Sequence, residues 1–136
     1  ILKKPLSDCP VETTLQLIGD KWKILIIRDL LDGTKRFNEL KKSLTGITQK
    51  VLTSKLRDME DSGLLTRKIY PEVPPKVEYS LTNLGSSLFP ILENLAAWGD
   101  EYKKGAVSKW LKFWDQLLFL FEKEKNREKI SVKWYN

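Results

Sequence analysis

Residues 34–82 constrain the fold of this chain more than any other stretch. A short helix that Asn38 can cap comes first, followed by a three-residue turn that contains Gly46. Thr48 is suited to cap a second helix, because its hydroxyl can accept a hydrogen bond from an amide of the first turn, and Gly63 is suited to end that helix. The pattern therefore predicts two consecutive helices joined by a tight turn.

Two β-rich runs complete this stretch. Residues 64–70 and 77–80 alternate between apolar and polar side chains, as half-buried strands do. Three prolines confine the loop between the runs: Pro71, Pro74 and Pro75. Helix, turn, helix and hairpin is the order of a winged helix-turn-helix, so the sequence predicts a mainly α fold with a small β-hairpin wing.

Helices are also predicted on the N-terminal side of this stretch. Pro10 is well placed at the first position of a helix capped by Cys9, and Glu12 falls at the third position. Asp20 can cap the next helix, which ends before Gly33. Because that helix is rich in apolar residues, we expect it to be the central helix of the core.

The C-terminal part of the chain is predicted to be helical as well. Thr82 can cap a long helix that Pro90 should kink, and a further helix is expected between residues 109 and 125. Residues 126–136 show no clear pattern. We therefore expect a winged helix-turn-helix DNA-binding and dimerisation domain over residues 8–104, followed by a partly helical C-terminal extension over residues 105–136.

The composition limits the classes of function. A net charge of +6 favours a polyanionic partner. Cys9 is the only cysteine, so no internal disulfide can form, and a cytoplasmic location is expected. Histidine, the commonest general base and metal ligand, is absent from the sequence. The longest apolar-rich stretch, residues 110–121, is too short to span a bilayer, so no membrane partner is expected.

The sequence offers little for catalysis. Paired carboxylates occur, such as Asp58 with Asp61 and Glu122 with Glu124, and they are typical of solvated charge. No glycine-rich phosphate loop and no metal-ligand spacing is found in the sequence. We therefore expect no enzyme activity, no cofactor and no metal.

The second helix of the predicted helix-turn-helix has two different faces. Leu52, Leu56 and Met59 share one stripe and should face the core. The cap and the opposite face carry the residues that we predict to bind DNA: Thr48, Gln49, Lys50, Thr53, Ser54 and Arg57. Glutamine can pair with adenine, lysine with guanine, and threonine or serine with phosphates or thymine methyl groups. The alternative is an ordinary solvated helix face.

Two features favour DNA binding over plain solvation. No acidic residue interrupts the outer face of this helix before Asp58. The hairpin that follows carries Arg67, Lys68 and Lys76, and Lys76, beside Pro75, is placed to reach a backbone phosphate or the minor groove. Arg67 and Lys76 are therefore included among the predicted DNA-binding residues, although solubility alone would also account for them.

The apolar residues near the two ends of the chain predict self-association. Trp98, Tyr102 and the apolar side chains of residues 110–121 provide more apolar surface than a small winged helix can bury alone. This excess favours a homodimer, with Leu15 and Leu95 in the same interface. A helix that lies on a membrane surface is the lesser alternative.

Several motifs together resemble the HxlR-type family of bacterial winged helix-turn-helix regulators, which are related to the MarR group. They occupy residues 9–12, 19–22, 37–40, 47–53, 56–57, 63–64, 67, 70–75, 77–82, 85 and 98–99. The resemblance covers residues 8–104 and implies a cytoplasmic homodimer that binds a pseudo-palindromic DNA operator. It also implies that the helix capped by Thr48 enters the major groove, that the hairpin is the wing, and that the first and terminal helices form the dimer.

The resemblance further implies an effector. Several members of the family respond to small electrophiles or oxidants through a cysteine at the position of Cys9. Some pair it with a second cysteine near the recognition helix, which this chain lacks. Two alternatives stay open: Cys9 as a small cap residue without chemistry, and the whole chain as a winged-helix module that contacts only other proteins.

Overall fold

A computed structural model of the chain describes residues 4–105 and 107–125. They form two compact units, one that ends at Leu92 and one that begins at Glu93. The elements, in chain order, are α1 (Pro10–Ile18), α2 (Lys21–Leu31), β1 (Lys35–Arg36), α3 (Phe37–Ser43), α4 (Gln49–Asp61), β2 (Leu65–Tyr70), β3 (Lys76–Leu81), α5 (Asn83–Ser86), α6 (Phe89–Lys103) and α7 (Val107–Lys125). The predicted order of helix, turn, helix and hairpin is confirmed.

The predicted caps fix the ends of α2 and α4. The Asp20 carboxylate accepts hydrogen bonds from the backbone amides of Trp22 at 2.8 Å and Lys23 at 3.4 Å. Thr48 Oγ1 accepts one from the amide of Val51 at 3.2 Å. After α4, Gly63 has a φ of 78°, a left-handed conformation that glycine adopts without steric cost, so the chain turns there into the hairpin.

Two local predictions are wrong. Asn38 does not cap α3: this helix begins at Phe37, and the amide of Arg36 donates to Glu39 Oε1 at 3.2 Å. The reason is that Lys35 and Arg36 form a short strand, which holds the backbone extended up to the first residue of the helix. The expectation for Pro90 is the other.

Pro90 does not kink a long helix. The chain leaves helical conformation after Ser86, and α6 starts at Phe89, so Pro90 lies in the first turn of a new helix. Proline is tolerated there because the amides of a first turn have no partner within the helix. Thr82 therefore caps only the short α5, where its Oγ1 accepts a hydrogen bond from the amide of Gly85 at 3.0 Å.

The core of the first unit lies between the helices and one face of the sheet. Leu52, Leu56 and Met59 of α4 are at most 1% exposed, which confirms the predicted stripe. They pack with buried residues of the other elements: Ile18, Ile26, Ile27, Leu30, Leu40, Leu44, Ile47, Leu64, Leu65 and Tyr79. The central place of α2 is likewise confirmed, since Ile26 and Ile27 are fully buried.

The sheet has three antiparallel strands in the order β1-β3-β2. In the β2–β3 hairpin, Leu65 pairs with Leu81 near the core, and Tyr70 pairs with Lys76 at the far end, next to the loop of residues 71–75. Hereafter β2, this loop and β3 are called the wing. Leu65 and Tyr79 are buried on one face of the sheet, so the alternating residues of the other face point away from the core.

The second unit contains most of α6 and all of α7. The helix predicted between residues 109 and 125 is confirmed as α7, while the pattern-free residues 126–136 lie outside the described part of the chain. Most large apolar side chains described on α7 are more than half exposed: Leu111, Phe113, Trp114, Leu118, Phe119, Leu120 and Phe121. None of the helices within the described residues is long and apolar enough to cross a membrane.

Candidate DNA-binding surface

The outward face of α4 brings the predicted recognition residues together. Gln49, Lys50, Thr53, Ser54 and Arg57 line one open depression of about 650 Å³, together with Asp58. The periodicity of an α-helix explains this grouping, because the core stripe on α4 leaves these positions on the opposite side. Thr48, as the cap, is exposed at the N-terminal end of the same face.

Part of the hydrogen-bonding capacity of this face is already used by a bond within α4. The Thr53 hydroxyl donates to the carbonyl of Gln49 at 2.8 Å, so its proton is committed to the helix. Its oxygen can still accept a hydrogen bond, and its methyl group can make apolar contacts. The carboxylate of Asp58 lies 3.8 Å from Lys23 Nζ, which offsets the one negative charge of the depression.

The cations of α4 are divided between two roles. Lys55 Nζ lies 2.7 Å from Asp20 Oδ2 and joins α4 to the start of α2. Lys50 and Arg57, in contrast, are exposed and form no ion pair with any other described residue. Their positive charge is therefore available to an external anion.

The cations of the wing are paired, which the sequence did not indicate. Arg67 Nε lies 3.3 Å from Glu60 Oε2 at the C-terminal end of α4. Lys76 Nζ lies 2.9 Å from Glu78 Oε1 and 4.8 Å from the centre of the Tyr70 ring. The predicted position of Lys76 beside the loop is confirmed, but its ammonium group already has a carboxylate partner.

Two residues that shape this end of the wing were missed in the sequence. The Tyr70 hydroxyl donates to Glu78 Oε2 at 3.1 Å, and Lys68 Nζ lies 4.9 Å from the centre of the Tyr70 ring. The hydrogen bond from Lys76, followed by that from Tyr70, holds the pKa of Glu78 below its usual value. Strand alternation could have placed residues 76 and 78 on one face, but the cross-strand register of Tyr70 required the fold.

Cys9 lies at the entrance of α1, as predicted. It is the N-cap residue, its side chain is partly buried, and Pro10 follows at the first helical position. The amide of Cys9 donates to Ser7 Oγ at 3.1 Å, and the Ser7 hydroxyl donates to Glu12 Oε2 at 2.6 Å. Glu12 lies in the first turn of α1, as predicted, and is linked to the Cys9 amide through the Ser7 hydroxyl.

The predicted dimer residues are exposed apolar side chains. Leu15 on α1 is 58% exposed, and Leu95 on α6 is 50% exposed. Trp98 and Tyr102, one turn apart on α6, stack with ring centres 5.4 Å apart. These side chains are available for burial by a second copy.

The fold and this surface define a helix-turn-helix protein of the winged type. The profile of the HxlR-like helix-turn-helix family matches residues 17–106, and the chain belongs to this family. Among similar relatives, the HTH-type transcriptional regulator YdeP of Bacillus subtilis is 52% identical over 95 residues, which are 70% of this chain and 74% of YdeP. YkvN of the same organism is 53% identical over 94 residues, 69% of this chain and 80% of YkvN.

Solved structures are similar over the same region. The redox regulator HypR in its reduced form has a TM-score of 0.68 and 45% identity, covering 73% of this chain and 98% of that one. The reduced transcriptional regulator YodB of Bacillus subtilis has a TM-score of 0.61 and 38% identity, covering 69% and 93%. These relatives are transcriptional regulators and not enzymes, and this chain is a transcriptional regulator of the helix-turn-helix type.

Proposed function

We propose that this regulator binds double-stranded DNA sequence-specifically as a homodimer, with α4 in the major groove. The observation that carries the proposal is the division of charge on α4. Lys55 on one side is tied to Asp20, while Lys50 and Arg57 on the other side form no ion pair among the described residues. A helix whose outward cations are unpaired, and lie beside polar side chains, suits the floor of the major groove.

Each predicted residue has a role in this proposal. Lys50 and Arg57 donate to guanine or to phosphates, Gln49 pairs with adenine, and Thr48, Thr53 and Ser54 contact phosphates or thymine methyl groups. Arg67 of the wing contacts the DNA backbone, and Lys76 does so where a phosphate displaces its carboxylate partner Glu78. Twofold symmetry of the dimer would make the operator pseudo-palindromic, with half-sites about 34 Å apart.

The homodimer is proposed to form through α1 and α6. Leu15, Leu95, Trp98 and Tyr102 are each at least half exposed, and burying such side chains stabilises association. A symmetrical interface needs the same patch on both copies, which a single chain type supplies.

The test begins with duplexes that the protein enriches from a randomised library. Lys50→Ala, Thr53→Ala and Arg57→Ala should each weaken binding to the enriched duplex in fluorescence anisotropy at fixed salt. A residue that contacts a base should cost about 1–3 kcal/mol. The fold should persist, because these side chains lie opposite the core stripe.

Lys55→Ala is the matched control, since it removes the same charge from the same helix. It should lower stability through loss of the Asp20 contact while leaving DNA affinity nearly unchanged. Unchanged affinity in all three test variants would contradict the assignment of this face. A winged helix that contacts only proteins would show no enrichment and no steep loss of DNA binding with salt.

We also propose that small electrophiles or oxidants regulate DNA binding through Cys9. One support is the partly buried position of Cys9 at the entrance of α1. The other is the likeness of the chain to HypR, described as a redox regulator, and to YodB, also solved in a diamide-treated form. As the only cysteine, Cys9 could form a disulfide solely with another molecule, such as its dimer mate or a small thiol. Modification would disturb the Ser7 contacts and hence the α1 side of the dimer.

Diamide or a quinone should change the DNA affinity of the parent protein but not that of Cys9→Ser. Mass spectrometry would establish that Cys9 is modified before binding is measured. Full affinity of the modified parent would refute the sensor. A thiol that reacts only after unfolding would favour the structural role instead.

A further inference from the structure

The far end of the wing carries a compact charge cluster on the face of the sheet that points away from the core. The antiparallel register puts Lys68 opposite Glu78 and Tyr70 opposite Lys76, so all four side chains share that face. On the other side of β3, the strand register puts Arg36 of β1 opposite Glu78. Glu78 is thus a single carboxylate among three cations.

Glu78 holds one of these cations closely. Lys76 Nζ lies 2.9 Å from Glu78 Oε1 and 4.8 Å from the centre of the Tyr70 ring. The side chain of Lys76 is only 23% exposed. The Tyr70 hydroxyl fixes the other oxygen of Glu78 at 3.1 Å. The carboxylate is therefore oriented from two sides, and it takes up one of the hydrogen-bond positions of the Lys76 ammonium group that are otherwise open to a DNA phosphate oxygen.

This arrangement is the reverse of that on α4, where Lys50 and Arg57 are unpaired within the described residues. Phosphate contacts strengthen binding to every DNA sequence equally, because they do not read bases. A carboxylate that competes with phosphate for a wing lysine lowers this sequence-independent part of the affinity. It leaves the base contacts of the recognition helix unaffected.

We infer that Glu78 is a positioning residue that keeps Lys76 from binding backbone phosphate and so limits the affinity of the wing for DNA of any sequence. The inference rests on the proposed DNA-binding function. In the intact protein Lys76 contributes to DNA binding only where a phosphate displaces Glu78. Removing the charge of Glu78 makes that contact available on every duplex.

The test compares Glu78→Gln with Glu72→Gln. Glu72 is an exposed residue of the wing loop without an ion pair in the described part of the chain, so its variant removes one negative charge from the wing without releasing Lys76. Affinity is measured for the enriched duplex and for an unrelated duplex of equal length. Glu78→Gln should bind both about two- to fivefold more tightly than Glu72→Gln does.

The salt dependence separates a new phosphate contact from a general charge effect. One additional neutralised phosphate steepens the slope of log affinity against log salt by about 0.9. Glu78→Gln should show this change, and Glu72→Gln should keep the slope of the parent. A structural role of Glu78 alone would not steepen the slope.

Lys76→Gln completes a double-mutant cycle. It should weaken binding slightly in the parent and by about two- to fivefold more in the Glu78→Gln background, where Lys76 reaches phosphate. Equal losses in both backgrounds, or equal slopes for Glu78→Gln and Glu72→Gln, would overturn the inference. If the parent itself binds neither duplex, the proposed function fails first, so the two failures are distinguishable.

Discussion

At the scale of single residues, the carboxylate of Asp20 has two structural roles. Its carboxylate caps α2 through the amides of Trp22 and Lys23, and its Oδ2 lies 2.7 Å from Lys55 Nζ of α4. Burial alone raises the pKa of Asp20, but the hydrogen bond from Lys55 and those from the two amides outweigh it and lower the pKa below 3.8.

The direction of this shift sets its dependence on pH. A carboxyl whose pKa is lower in the folded state stabilises the fold when it is ionised. The contribution of Asp20 is therefore fully present above its unfolded pKa and is lost as the pH falls through its folded pKa. At neutral pH, Asp20 therefore holds one side of α4, and the opposite side carries the residues proposed to bind DNA.

Asp20→Asn should unfold more easily than the parent in urea at pH 7. Asparagine also caps helices well, so the loss reflects the charge and, for a partly exposed pair, should be about 0.5–1 kcal/mol. The difference should shrink as the pH is lowered through 3.8. Asp32→Asn, at the opposite end of α2, is the control and should not be destabilised. A loss for Asp20→Asn that stays constant down to pH 2 would contradict this account.

At the scale of elements, short segments decide how the helix-turn-helix is held. The two-residue β1 attaches the start of α3 to β3, and thereby links the first helix of the motif to the wing. Thr82 links the other end: its hydroxyl donates to the carbonyl of Gly63 at 2.6 Å and accepts from the amide of Gly85 at 3.0 Å. The residues that follow α4 and those that follow β3 are thus held together by the hydrogen bonds of Thr82.

Gly85 explains why α5 can approach this junction. A side-chain methyl group at this position would collide with the carbonyl oxygen of Leu64, so only glycine fits without a shift of the backbone. The close approach also brings the amide of Thr82 to the Leu64 carbonyl at 3.1 Å. The break between α5 and α6 follows within a few residues, at Ser87 and Leu88.

At the scale of the whole molecule, apolar surface is concentrated on α1, α6 and α7. The proposed homodimer predicts that a charge among the exposed apolar residues Leu95, Trp98 and Tyr102 of α6 will prevent association. Trp98→Glu should sediment as a monomer at micromolar concentration, where the parent sediments as a dimer. It should also bind the enriched duplex more weakly, because a monomer contacts one half-site.

Trp114→Glu is the matched control for this prediction. Trp114 on α7 is 53% exposed, close to the 55% of Trp98, but it lies beyond the region that matches the family. It should remain a dimer, as should a chain truncated after Lys104. A parent that sediments as a monomer while binding DNA would contradict the proposed assembly.

The sequence by itself determined the elements with local causes. Apolar spacing fixed which face of α4 is buried, and the cap residues Asp20 and Thr48 fixed where α2 and α4 begin, because each signal acts within one helical turn. The two hairpin strands were predicted to within one residue, because the alternation of apolar and polar residues is likewise a local signal. The recognition residues, the wing cations, the dimer residues and the sensor role of Cys9 stay predictions for experiment.

Only the tertiary structure decided the features that depend on contacts distant in sequence. Strand β1 exists because β3, some forty residues later, pairs with it, and this pairing moved the start of α3 from the predicted Asn38 cap. The pairing of Lys76 with Glu78 beside Tyr70 depends on cross-strand register, and that of Lys55 with Asp20 on the packing of α4 against α2. A sequence pattern names the cations, but which of them are neutralised is set by the partners that the fold brings within a few ångströms.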